Sequence, residues 1–127
     1  MSSTPSSAEL DNDPYAPAPG RPSGADHPLA GFAPELVELT DVVLFGRVWP
    51  GAELAPRDRS LITVACLVAT GSVDQLPYHL GRARDNGVTE AELVAAITHL
   101  AFYAGWPRAM TAMTAAQQVF LASPDAG

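Results

Sequence analysis

Cysteine occurs once in the 127 residues, at Cys66, so the chain can form no intramolecular disulfide, and dithiol chemistry has no second sulfur. Basic residues are half as common as acidic ones, 7 against 14, giving a formal charge of −7 and a pI near 4.6. Such a surface repels phosphate backbones, so no nucleic-acid partner is expected. It mainly promotes solubility. No apolar run approaches the roughly 20 residues needed to span a bilayer, so no membrane partner is expected. The first residues lack the basic and apolar regions of a secretory signal, and a cytoplasmic location is the default expectation. Histidine is scarce as well: His27 lies near the start, leaving His79 and His99 in the patterned part of the chain. There is no His-x-x-x-His or Cys-x-x-Cys spacing for a metal, and Gly46, Gly51, Gly71 and Gly81 form no dinucleotide-binding loop. The expectation is a site without metal or cofactor.

What is present is helical. Residues 1–28 hold six of the twelve prolines among Ser, Asp and Ala, a composition that buries too little apolar area to offset ordering entropy. They are expected to form a disordered tail. Residues 29–123 are expected to fold as one helical domain, with 124–127 as a short C-terminal tail. Pro34 suits the first turn of a helix reaching about Gly46, before a turn at Pro50-Gly51. Phe45 and Trp49 read as aromatics of the core or of a subunit contact. A second helix, Pro56 to Thr70, is apolar almost all round, which predicts burial on most sides and places Cys66 in the core. Ser72 and Gln75 have capping-box spacing, but Pro77 conflicts with a helix beginning at Val73. The sequence therefore predicts either a late start near Leu76 or a kink.

The best-patterned stretch is TEAELVAAITHLAFYAGWPRAMTAMTAAQQ, residues 89–118. Thr89 and Glu92 have capping-box spacing, Leu93, Ile97 and Leu100 recur at helical intervals, and Gly105-Trp106-Pro107 turns the corner into a final helix. His99 and Tyr103, four apart, share one face of the helix. A titratable imidazole and a phenol presented together suggest a pocket wall. Thr98 is expected to bond back to its own helix.

ITHLAFYAGWPRAMTA, and upstream RDRSLITVACLVATGSVDQLPYHLGRARDNGVT, resemble the signature of the carboxymuconolactone decarboxylase family, over about Arg57 to Phe120. Phe45-Gly46-Arg47-Val48-Trp49 is similar to a further run common in it. The resemblance implies an all-α, compact bundle of five to six helices. It also implies a homo-oligomer, a homotrimer or homohexamer, with a site at a subunit boundary. The apolar second helix and Met110, Met113, Val119 and Phe120 of the last helix point the same way.

A branch of that superfamily uses Cys-x-x-Cys followed four residues later by His. His79 matches the histidine, whereas Ser72 and Gln75 stand at the sulfur positions, and neither can form a thiolate. The Glu that relays protons in that branch would fall near position 60, where this chain has Ser60, and a second Glu common in the family would fall at Ala95. Peroxidase chemistry is thereby nearly excluded. The founding reaction of the family removes CO2 from 4-carboxymuconolactone to give an enol-lactone, and electrons flowing into a conjugated carbonyl need no added electron sink. On that model His79 and His99 are the catalytic proton handlers. Tyr103 and Trp106 are substrate-binding hydrogen-bond donors, and Arg59 holds an anion through its planar fork, or instead forms a structural ion pair. The implied partner is a small-molecule carboxylate or lactone. An isomerase or cyclase on the same fold, and a non-catalytic helical oligomer that binds a small molecule or protein, are the alternative readings.

Overall fold

The computed structural model describes residues 26–122. Most of the expected N-terminal tail and residues 123–127 lie outside the described residues. Among those residues there are only helices and turns, which makes the protein all-α. The chain divides into two units, one ending at Glu53 and one beginning at Leu54.

In the first unit, turns over 26–33 lead into α1 (Pro34–Glu38). The expected α-helix does not run on to Gly46. It widens at once into a π-helical segment, Leu39–Val48, closed by the Trp49 N–H donating five residues back to Leu44 at 2.9 Å. At the change the Thr40 hydroxyl donates to the Leu36 carbonyl at 2.8 Å. Phe45 and Trp49 are both buried and stack at 5.7 Å.

The second unit is a four-helix arrangement: α2 (Pro56–Thr70), α3 (Leu76–Asp85), α4 (Glu90–Ala104) and α5 (Trp106–Leu121). α4 packs most extensively on α5, α2 packs on α3 and α4, and α3 packs on α5. Val64, Val68, Leu76, Leu80, Val88, Leu93 and Ile97 are fully buried. Ala83, Ala101, Ala109, Ala112 and Ala116 line the same core, and their small side chains let the helices approach closely.

Local chemistry sets the helix ends. α2 closes in a Schellman pair, with Ser72 N–H donating to Leu67 and Gly71 N–H to Val68. Gly71 takes the left-handed conformation this requires, φ 72°. α3 starts at Leu76, because Pro77 is tolerated only in a first turn. The Ser72–Gln75 capping box does not form, and the Ser72 hydroxyl pairs with Thr70 instead. α4 does open with the expected box: Thr89 Oγ1 accepts from Glu92 N–H at 3.1 Å, and Glu92 Oε1 accepts from Thr89 N–H at 3.0 Å. The other Glu92 oxygen accepts from Arg57 at the start of α2, so one carboxylate ties two helix starts together. Losing an N-cap costs about 0.5–2 kcal/mol. Thr89→Ala should accordingly lower the melting temperature by several degrees in thermal circular dichroism, at about 4–8 °C per kcal/mol for a domain of this size. An unchanged midpoint would mean that Arg57 and Glu92 hold the turn without the threonine.

One expectation fails here. Only Ser60, Val64 and Val68 of α2 are buried, and Cys66 is exposed together with Ile62. Helices of this unit cover one side of α2, and the Cys66 side is not among the covered positions. Cys66 is therefore not a core residue of the single chain.

Candidate functional site

α3 carries His79 one turn into the helix, half-buried, with the Tyr78 ring edge-on at 5.0 Å. Burial pushes the imidazole pKa below its ordinary 6.5, and the positive charge of Arg82, three residues along the same helix, adds to the shift. His79 is thus neutral at pH 7 and holds a proton less readily than a free imidazole. The sign of the stability effect follows. Above about pH 6.5 the residue is neutral both folded and unfolded. Below that, the unfolded chain binds a proton that the folded one resists, so stability falls as pH drops from 6.5 toward the lowered folded value. In His79→Gln the melting temperature should change less between about pH 7 and pH 5 than in the parent protein. An identical slope in both would assign the acid sensitivity elsewhere.

The two sulfur positions of the redox branch are occupied by Ser72, in the turn after α2, and Gln75, immediately before α3. Ser60, at the relay-carboxylate position, is fully buried and accepts a hydrogen bond from Asn86 Nδ2 at 3.0 Å. That hydroxyl joins the start of α2 to the end of α3, a structural task the sequence did not reveal.

The end of α4 presents a run of exposed rings. His99 stacks on Tyr103 at 4.9 Å, and Phe102 meets Trp106 edge-on at 5.6 Å across the Gly105 corner. Gly105 turns that corner at φ 108°, where a side chain would be strained. The spacing expectation for His99 and Tyr103 is met, and Thr98 donates back to Val94 at 2.7 Å, as expected. Arg59, in the first turn of α2, donates from Nε to the Leu54 carbonyl at 3.2 Å.

His99 and Tyr103 are thus brought together, while Trp106 pairs with Phe102. His79 stands on a helix that shares no comparable interface with α4. Two cavities in this unit are lined by neither histidine. One, of about 530 Å³, lies between α4 and α5 against Val94, Met110, Met113 and Phe120, with Glu90 on its wall. The other, of about 230 Å³, lies where α2 ends and α3 and α5 begin, and Arg108 lines it. Arg108 Nη1 donates to the Ala69 carbonyl at 2.8 Å, a contact spanning 39 residues that no sequence spacing announces. Among the described residues no three of His, Cys, Asp and Glu gather to form a metal-binding group. Nor is any helix among them long and apolar enough to cross a membrane.

The 4-carboxymuconolactone decarboxylase of Acinetobacter baylyi is 43% identical over 76 residues, covering 60% of this chain and 57% of that protein. The nitrosuccinic acid decarboxylase of Metarhizium robertsii is 33% identical over 90 residues, 71% of this chain and 63% of that protein. The chain therefore matches about three fifths of the length of each of these relatives. The model of the carboxymuconolactone decarboxylase family matches residues 34–118, most of the described structure. The chain belongs to the carboxymuconolactone decarboxylase family.

Proposed function

We propose that this protein is a cofactor-independent, decarboxylase-type lyase for a small carboxylated lactone or related carbonyl compound. The observation that carries the reading is His79. It stands where the redox branch places its histidine, is held neutral by burial, and has Ser72 and Gln75 in place of the two thiols. The names of the two relatives, both decarboxylases, support the reaction type.

In the proposed step the bond between carbon and the departing carboxylate breaks. CO2 leaves, and the electron pair moves into the conjugated carbonyl. The electrons then return to carbon, which takes a proton through His79 and His99. The Tyr103 hydroxyl and the Trp106 indole N–H donate to the oxygen on which charge develops. Arg59 is the proposed anion holder of the original motif.

The working unit in this proposal is a homotrimer or homohexamer, with the site at the subunit boundary. Support comes from apolar surface that a lone chain leaves in water: Phe102, Tyr103, Trp106, Met110 and Ile62 are all more than half exposed. The separation of His79 from His99 within one chain fits a site shared between neighbours.

Two measurements test this. Light scattering should find a multiple of 13.3 kDa, and a species of 13.3 kDa alone would remove the shared site. Mixing His79→Ala with His99→Ala chains under exchange conditions should restore part of the turnover that each lacks, because some boundaries then receive both histidines. Confirmed exchange without recovery would place both histidines of each site on one chain.

A further inference from the structure

We infer that the cavity lined by Arg108 is a carboxylate-binding subsite, which anchors a substrate carboxylate that is retained while another is lost. The inference rests on the carboxylate-substrate reading above and adds a residue to it.

The cavity of about 230 Å³ is walled by Leu67, Val68, Val73, Leu76 and Thr111, so its lining is mostly aliphatic. Within it Arg108 brings the positive charge. A guanidinium offers five N–H donors in a fixed fork. Among the described residues Arg108 makes one hydrogen bond, from Nη1 to Ala69, and no carboxylate pairs with it. That bond fixes the plane of the fork and leaves donors available for a carboxylate to engage two at a time. The guanidinium lies over the turn, its Nε 3.5 Å from where a Gly71 Cβ would stand, an ordinary van der Waals distance.

The larger cavity fits this ligand less well, since Glu90 on its wall repels an anion and no cation lines it. Position favours the smaller one too. Its lining residue Leu76 is one turn before His79, and Pro107 follows Trp106 at the Gly105 corner. Both segments proposed for chemistry therefore border the cavity. A strong ion pair on the departing carboxylate would stabilise the ground state and slow the loss of CO2. A fixed guanidinium fork serves a retained carboxylate better.

The test is equilibrium binding by titration calorimetry on the full chain. The probe is 5-oxotetrahydrofuran-2-carboxylate, a lactone acid with no electron sink for decarboxylation, compared with its methyl ester. The acid should bind, and the ester should bind about tenfold more weakly or not at all. Arg108→Gln and Arg108→Lys should each lose about tenfold or more, since lysine keeps the charge but not the fork. Val73→Trp, which leaves Arg108 in place and fills the cavity mouth, should lose binding as well. If Arg108→Gln fails to fold, Arg108→Lys and Val73→Trp decide, each checked by its melting curve. Equal affinity in the parent and Arg108→Lys proteins overturns the assignment, as does unaffected binding in Val73→Trp or no binding by the parent protein up to about 20 mM. Binding as described without CO2 release from any substrate would remove the decarboxylase reading and leave the subsite standing. CO2 release with Arg108 variants binding like the parent would do the reverse.

Discussion

Replacing His79 or His99 by alanine is expected to leave the helical fold intact and to cut turnover by about 10² to 10⁴-fold, the usual contribution of a general acid or base. Neither ring belongs to the buried apolar core, so the loss should fall on rate rather than on the melting curve. If the two handle one proton in one site, the double variant should lose less than the product of the single losses. Carbon takes up a proton in the proposed step, so turnover should fall as rising pH empties the donor, because His79, whose pKa is lowered, holds little proton above about pH 6.5. Cys66→Ser should turn over normally: Cys66 has no second thiol in the chain to pair with and makes no part of the core. Histidine variants at full rate together with a dead Cys66→Ser protein would reopen thiol chemistry. Lower melting temperature without loss of rate would make the histidines structural and favour a binding role.

The largest expected effect on stability is at Leu80. It is wholly buried and belongs to the cluster that includes Val64, Val68, Leu76, Leu93 and Ile97. Truncation to alanine removes three carbons' worth of packing and leaves a cavity that fully formed helices close only partly. The cost is about 2–5 kcal/mol. Domains of this size are stable by about 5–15 kcal/mol, so Leu80→Ala should remove a large part of the total. Chemical denaturation should show the midpoint falling sharply with an unchanged slope. A loss below about 1 kcal/mol would mean that the core repacks around position 80 or is looser than the burial indicates.

Most helix ends were legible in the sequence because short-range chemistry sets them. Thr89 and Glu92 are three residues apart, Pro77 excludes an earlier start for α3, and Gly105-Trp106-Pro107 makes its own corner. The His99–Tyr103 stack follows from helical spacing in the same way. What escaped depends on partners far along the chain. Ser60 bonds Asn86 26 residues away, and Arg108 reaches Ala69 across 39. A helix rich in apolar residues likewise does not say which of its faces its own chain will cover, which is why Cys66 was assigned to the core. Nothing in the residue types over 34–48 announces the π-helical widening after Glu38.

The central claim is that His79 and His99 move a proton to carbon as CO2 departs. It is tested most directly by incubating the oligomer with a panel of carboxylated lactones and β-keto acids in D2O. CO2 release and the position of deuterium in the product would be followed together by mass spectrometry. The account predicts equal amounts of CO2 and of deuterium at the carbon α to the carbonyl that received the electron pair, both falling together in His79→Ala and His99→Ala. Deuterium exchange or rearrangement of the substrate with no CO2 released, or CO2 release that neither variant slows, would contradict it.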